Sequence, residues 1–164
     1  MASNATSETI SLADRDVKVA TIIKTAATWS VASAAIPLPW VDLAALAGVQ
    51  TKMIIDISDQ YGQKASREVV RGAVSVLLGT LIPAGAAGAM LSSGLKMVPG
   101  LGSIAGFASL AALGAAATYA IGKTFTKHFE AGGTISSFSA EEVTEDLKEE
   151  FSKSKGKGAA EAAA

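Results

Sequence analysis

Two glycine-containing segments have residue types that could bind a phosphate group. Residues 117–124 read Ala-Thr-Tyr-Ala-Ile-Gly-Lys-Thr and satisfy a loose Walker pattern, while residues 100–105 read Gly-Leu-Gly-Ser-Ile-Ala and resemble a dinucleotide fingerprint. Each motif works only in a loop that follows a strand and opens a helix, where backbone N–H groups surround the phosphates. The residues before Gly122 continue a helical pattern, so we expect neither segment to bind a nucleotide or another cofactor.

The other reactive side chains do not form a recognisable catalytic or metal site. The sequence has no cysteine and only one histidine, His128, so thiolate ligands and paired imidazoles are excluded. Its carboxylates show no spacing that separates an acid–base pair from ordinary solvated helix faces. With 14 basic and 15 acidic residues, it also lacks the basic excess of a nucleic-acid binder. We therefore predict a protein that is not an enzyme, holds no metal and binds no nucleic acid.

The composition indicates a helical protein that contacts lipid. Hydrophobic residues make up 49% of the 164 residues but aromatic residues only 5%, and the mean hydropathy of +0.37 is high for a soluble domain. No alternation of apolar and polar residues is long enough for a strand, so the predicted fold is an all-α helical bundle. The first residues lack the features of a secretory signal, which favours the cytoplasm or the cytoplasmic face of a membrane.

The first half of the chain is predicted to contain two helices separated by a double-proline turn. The first helix should follow a flexible segment at residues 1–11, with Ser11 as its cap, and Pro37 and Pro39 should end it. The second should extend over residues 40–61 and stop at Gly62, since glycine readily adopts the left-handed conformation found after helix ends.

Asp42 and Gln50 are polar residues on one side of the apolar second helix. They could form a polar contact that specifies a partner or the hairpin described next. Alternatively, Asp42 caps its helix and Gln50 hydrogen-bonds locally, which is the interpretation that we favour. Trp29 and Trp40 flank the proline turn and could lie either at a bilayer interface or in the core.

Two uncharged stretches, 72–95 and 97–122, are separated by Lys96. A tight turn is predicted at Pro99 and Gly100, near the start of the second stretch. Each exceeds the roughly 20 residues of a membrane-spanning helix. Together they predict a long apolar Gly/Ala-rich helical hairpin over about residues 66–128. Each arm has only seven or eight Leu, Ile, Val and Phe residues, so its insertion free energy is roughly −2 to −5 kcal/mol. Burial of both arms in a soluble bundle or oligomer therefore stays open.

Small residues on the second arm repeat at intervals of four. Gly102 and Gly106 form a GxxxG step, and Gly114, Thr118 and Gly122 continue that row. A second row consists of Ala108, Ala112, Ala116 and Ala120. Such rows allow helices to approach closely in lipid, which predicts self-association. The basic residues that flank the hairpin are Arg67, Arg71, Lys123 and Lys127. Under the positive-inside rule they favour a cytosolic location for both termini.

A linker and a short amphipathic helix are predicted over residues 134–152. Ser139 and Glu142 have the spacing of a capping box, and Val143, Leu147 and Phe151 form a short apolar stripe. The tail at residues 153–164, rich in Lys, Gly and Ala, has little to bury and is predicted to be disordered.

Two segments resemble the two halves of a known bacterial domain. The first includes residues 35–42, Gln50, Met53, Ile54, Tyr61 and Gly62, and the second includes residues 98–103, 116–123 and Phe129. Over about residues 17–133 the chain is similar to the YcjF-like family (domain of unknown function six-nine-seven), which occurs alone or joined to Era-like GTP-binding domains. The resemblance implies a membrane-associated helical domain, assigned here to residues 12–133, that works beside a GTPase and has no catalytic residues.

We therefore expect a non-enzymatic protein of the bacterial cytoplasmic (inner) membrane that self-associates and presents cytosolic helices to a partner such as a GTPase. One alternative is a soluble helical subunit of a cytoplasmic assembly. A second alternative is a protein whose hairpin inserts conditionally and perturbs membranes.

Overall fold

The computed structural model describes residues 2–33, 41–91 and 101–164, and side chains within 11–33, 44–81 and 108–164. This part of the chain forms five α-helices and one short 3-10 turn at Ile135–Ser137. The helices are α1 (Ala2–Ser33), α2 (Val41–Gln60), α3 (Arg67–Leu91), α4 (Leu101–Glu130) and α5 (Thr144–Ala163). No strand occurs among these residues, so the predicted all-α class is confirmed for the described chain.

Helix α4 is the centre of the bundle. It packs most extensively against α5 and α1 and less extensively against α2 and α3. Its inward side chains Ile121 and Phe125 are fully buried, and Phe125 stacks on Phe138 with ring centres 4.1 Å apart. Helix α3 packs mainly on α2 through Val70, Val74, Leu77 and Leu81, which recur at helical spacing and are at most 3% exposed.

The start of α1 differs from its prediction. The helix begins at Ala2, so Ser11 lies inside it and is not its cap, and the segment predicted to be flexible is mostly helical. Residues 2–10 contain neither proline nor glycine, and nothing in their sequence interrupts the helix that follows.

Helix α2 agrees with its prediction. It occupies Val41–Gln60, buries Met53 and Ile57, and carries a Lys52–Asp56 ion pair on its exposed face. Gly62 follows the helix with a φ of +67°, in the left-handed region where a side chain would be strained. The predicted stop at Gly62 is therefore confirmed.

The long hairpin predicted over residues 66–128 is not confirmed. Helices α3 and α4 are present, but the joining residues, including Pro99 and Gly100, lie outside the described ranges. Among the helices as far as they are described, none combines the length and the apolar character needed to cross a bilayer. Helix α4 also packs far more on α5 and α1 than on α3, because its small residues accept those helices more closely.

The C-terminal region forms a longer helix than predicted. Helix α5 continues to Ala163 through the tail that was predicted to be disordered. Ser154 and Gly158 are buried on α5 in register with Leu147, so small residues extend the apolar stripe beyond the point where bulky residues end.

The predicted capping box is formed only in part. The Ser139 hydroxyl accepts a hydrogen bond from the backbone N–H of Glu142 at 3.4 Å. This bond closes a turn over residues 140–143, and α5 itself begins after Val143, which provides no side-chain cap.

Candidate functional site

Arg15, Tyr61 and Glu130 meet at one end of the bundle, which we call the charged pole. The guanidinium of Arg15 lies 4.4 Å from the centre of the Tyr61 ring, and the Tyr61 hydroxyl donates a hydrogen bond to Glu130 at 3.3 Å. Nearby, Gln63 Nε2 donates to the carbonyl of Gly133 at 2.6 Å. These contacts join the loop between α2 and α3 to α1 and to the end of α4.

The opposite end, which we call the uncharged pole, contains the end of α1, the start of α2 and the first half of α4. These segments meet at Gly114, where an added Cβ atom would lie 3.8 Å from the carbonyl oxygen of Ser30 and 3.9 Å from Leu46 Cδ1. In the sequence, Asp42 is the only charged residue within 25–51, and Lys96 is the only one within 72–122. The described parts of α1, α2 and α4 thus bring nearly uncharged sequence together at this end, where the last turns of α5 add Glu161, which accepts a hydrogen bond from Thr28.

Large apolar side chains are exposed at the uncharged pole. Trp29 is 63% exposed and Leu110 is 52% exposed. The sequence left Trp29 open between a core and an interfacial position, and the structure excludes the core.

Gln50 is buried and forms a hydrogen bond across the bundle. Its Nε2 donates to the Thr118 hydroxyl at 3.2 Å, and the hydroxyls of Thr118 and Ser30 are 2.7 Å apart. These three side chains are at most 1% exposed and form a polar layer that joins α1, α2 and α4. The favoured interpretation of a local Gln50 bond is wrong, since periodicity within one helix does not reveal a partner 68 positions away.

One row of small residues on α4 packs against α1. A Cβ atom added at Gly122 would lie 2.8 Å from Ile23 Cγ1, and one at Gly114 would lie 3.8 Å from the carbonyl oxygen of Ser30. The row therefore permits close approach of two helices, as predicted, but the helix that it accepts belongs to the same chain.

A second small-residue row on α4 packs against α5. A Cβ atom at Gly158 would lie 2.2 Å from the carbonyl oxygen of Ala112 and 2.8 Å from the backbone nitrogen of Ala116. Only glycine fits at this crossing. The described parts of both rows are thus occupied within the chain.

The remaining predicted site residues fall where little is described. Gly102 and Gly106 lie in the first turns of α4, and Asp42 lies in the first turn of α2, but their side-chain surroundings are outside the described ranges. Pro37, Pro39, Pro99 and Gly100 lie outside the described residues altogether.

The phosphate-binding interpretation of residues 117–124 does not fit the structure. Gly122, Lys123 and Thr124 lie in the unbroken interior of α4, six to eight residues before its end at Glu130. A helix interior already uses its backbone N–H groups and cannot wrap a phosphate. His128 lies in the last turn of α4, with Nε2 2.9 Å from the carbonyl oxygen of Thr134.

An ion cluster attaches α5 to α4. Lys127 Nζ lies 2.7 Å from Asp146 Oδ1 and 2.8 Å from Glu150 Oε1, and the Glu150 side chain is 5% exposed. The hydrogen bond from Lys127 lowers the pKa of Glu150 against the opposing effect of desolvation. Hydrogen bonds to Asp146 and Glu150 raise the pKa of Lys127 above its ordinary range.

We expect Glu150→Gln to lower the free energy of unfolding at neutral pH by about 1 kcal/mol, because Lys127 is itself half exposed and partly solvated. Since the folded pKa of Glu150 is lowered, its contribution is complete above an unfolded pKa of about 4.3 and is lost as the pH falls through the folded value. Urea unfolding of both proteins from neutral to acid pH measures this.

The control for this prediction is Glu145→Gln. Glu145 pairs with Lys148 on the same helix and is 86% exposed, so its loss should change stability by less than about 0.5 kcal/mol. If the difference in free energy of unfolding between wild type and Glu150→Gln did not decrease at acid pH, the proposed link between the ionisation of Glu150 and stability would be contradicted.

A groove of about 510 Å³ lies between α1 and α4 and reaches α5. Ile23 and Tyr119 contribute to its apolar floor, and Lys24, Lys123 and Lys157 are on its rim. Lys157 Nζ lies 5.7 Å from the centre of the Tyr119 ring. Sequence reasoning missed this site because the three lysines come from three helices, one of them in the tail that was predicted to be disordered.

Comparisons with known proteins agree with the resemblance found in the sequence. A family model described as Domain of unknown function (DUF697) matches residues 2–156, which extends beyond the expected 17–133 and includes much of α5. Magnetosome membrane protein 22 of Magnetospirillum gryphiswaldense is 36% identical over 141 residues, which cover 86% of this chain and 72% of that protein. No solved structure matches. The chain belongs to the DUF697 family.

Proposed function

We propose that this is a non-enzymatic, membrane-associated helical protein that contacts the bilayer through its uncharged pole. The observation that carries the proposal is the scarcity of charged residues in α1, α2 and α4 at this pole, where large apolar side chains are exposed. A charged side chain at a bilayer centre costs about 2.5–3.5 kcal/mol, so the end nearly free of charge is the one that tolerates lipid. The relative named as a magnetosome membrane protein supports the same assignment.

The exposed apolar residues at this pole supply part of the binding free energy. Burial of a leucine side chain contributes about 1.5–3 kcal/mol when complete. Leu110 and Trp29 are both more than half exposed, and tryptophan is favoured where one end of its ring stays near water.

Vesicle flotation of paired variants tests the proposal. We expect Leu110→Asp to weaken vesicle binding about tenfold, because it removes an apolar contact and adds a charge at the membrane surface. The control is Val69→Asp, since Val69 is 51% exposed but lies near the start of α3, at the charged pole. Equal effects of the two variants, or wild-type protein that stays with the soluble fraction, would contradict the proposal.

The charged pole then faces the cytosol. We propose a location at the bacterial inner membrane with both termini on the cytosolic side, and an adaptor role toward a GTPase that the family resemblance suggests. Protease added to inverted membrane vesicles should cut the charged pole. Nucleotide-dependent co-purification of a GTP-binding protein tests the adaptor role.

The soluble-assembly alternative is favoured by one observation: the described small-residue rows of α4 are filled by α1 and α5. It predicts a monodisperse oligomer without detergent, whereas the membrane proposal allows self-association only through surfaces other than these rows. Sizing with and without detergent distinguishes the two. Release of dye from vesicles by the purified protein would favour the membrane-perturbing alternative.

A further inference from the structure

The groove between α1 and α4 has an uneven charge distribution. Within the described residues, Lys24 and Lys157 have no carboxylate within ion-pair distance, and the nearest carboxylate oxygen to Lys123 is that of Glu150 at 3.8 Å. We call Lys24, Lys123 and Lys157 the lysine triad. All three line the groove, and among the described residues their only ion pair is the long one between Lys123 and Glu150.

Two acidic residues that line the groove lie at its other end. Asp16 and Glu130 line the end nearest the charged pole, where Arg15 approaches Asp16 and Tyr61 donates to Glu130. Asp16 precedes Lys24 by eight residues, or about 12 Å along a helix. Lys127, which also lines the groove, is neutralised by Asp146 and Glu150. The triad end also has one carboxylate, that of Glu161, which accepts a hydrogen bond from the Tyr119 hydroxyl at 3.3 Å. Three lysines against this single carboxylate leave the triad end with a net positive charge.

The triad also marks a boundary between the two poles. Lys24 is the last charged residue of α1, before a segment (25–51) in which Asp42 is the only charge. Lys123 is the first charged residue of α4, after a segment (72–122) in which Lys96 is the only charge. Tyr119, which forms part of the apolar floor, lies one turn before Lys123. If the uncharged pole contacts a bilayer, lysines at this level meet its headgroups, where their apolar stems and charged ends are both accommodated.

We propose that the groove binds an anionic phospholipid, with the headgroup phosphate between the three lysines of the triad and the adjoining apolar part against Ile23 and Tyr119. The volume of the groove is within the range of about 300–1,000 Å³ typical of small-ligand sites. This inference rests on the proposed membrane association and adds a lipid class to it.

Flotation on two kinds of vesicle tests the inference. One kind is phosphatidylcholine alone, and the other contains equal parts of phosphatidylcholine and phosphatidylglycerol. A lysine near an anionic surface strengthens binding about fivefold. We therefore expect the triple variant Lys24→Gln, Lys123→Gln, Lys157→Gln to lose about a hundredfold in affinity for the anionic vesicles. Its affinity for the neutral vesicles should change less than about twofold.

The matched control changes net charge equally while leaving the groove intact. The triple variant Lys18→Gln, Lys64→Gln, Lys148→Gln removes three exposed lysines that do not line the groove. It should lose less than about fivefold. Equal losses in the two triple variants would show general charge attraction and would overturn the inference. Thermal unfolding of both variants confirms that they fold.

The outcomes separate this inference from the proposed function. Wild-type protein that binds both kinds of vesicle equally would overturn the lipid assignment and leave membrane association intact, whereas binding to neither would overturn both. Displacement from anionic vesicles by inorganic phosphate, beyond that caused by chloride at equal ionic strength, would assign the triad to a soluble phosphate compound instead.

Discussion

We expect Gly158→Ala to lower the free energy of unfolding by about 3 kcal/mol and to loosen the C-terminal half of α5. The added Cβ would lie 2.2 Å from the carbonyl oxygen of Ala112 and 2.8 Å from the nitrogen of Ala116. Both are backbone atoms in the middle of a packed helix, so they cannot move aside as a flexible side chain would. Helix α5 must instead shift away from α4.

Gly156→Ala is the control on the same helix. A Cβ at Gly156 meets nothing within 4 Å, so this change should stabilise the protein by about 0.5–1 kcal/mol through helix propensity alone. Urea unfolding gives the global effect, and amide hydrogen exchange shows whether the loss of protection is confined to α5. If both substitutions changed the free energy of unfolding in the same direction, the close packing of α5 against α4 would be contradicted.

Thr118→Val should lower the free energy of unfolding by about 2 kcal/mol. The Thr118 hydroxyl accepts the Gln50 amide bond and lies against the Ser30 hydroxyl. Its removal leaves a buried amide donor without an acceptor, and an unsatisfied buried polar group costs about 1–3 kcal/mol. The side-chain oxygen of Gln50 is also buried and has no hydrogen-bond partner among the described residues. No second side-chain hydrogen bond therefore offsets the loss of the one to Thr118.

Thr124→Val provides the matched comparison six residues further along α4. Thr124 is 2% exposed and its hydroxyl has no partner among the described residues, so its removal should be neutral or stabilising by up to about 1 kcal/mol. The double variant Gln50→Leu, Thr118→Val also lacks the unpaired amide. A double-mutant cycle should therefore give a coupling energy larger than half of the Thr118→Val loss. Destabilisation by Thr124→Val as large as that by Thr118→Val would show that the polar layer has no special role.

Helix positions and core faces were the most predictable part of the fold. Bulky residues at helical spacing placed Leu147 and Phe151 on one apolar stripe, and both are at most 4% exposed. The stop at Gly62 was predictable because it depends on one residue's own conformational preference. These features depend on local sequence alone.

The pairing of helices was less predictable. The small rows of α4 indicate that some helix approaches closely, but periodicity does not say which helix does so. The hydrogen bond of Gln50 to Thr118 and the packing of α5 against Ala112 both join residues that are distant in the sequence. For α5, a usable signal was present: Leu147, Phe151, Ser154 and Gly158 continue one helical stripe, in which small residues replace bulky ones.

The position of α5 has a consequence for biosynthesis. Helix α5 is translated after α4, and residues 131–163 separate the end of one from the end of the other. At about 5–20 residues per second, the ribosome needs about 2–7 s to make them. During that interval the surface formed by Ala112 and Ala116 is exposed on the nascent chain. Delivery to a target membrane with this surface exposed is therefore limited to the few seconds before α5 packs on it.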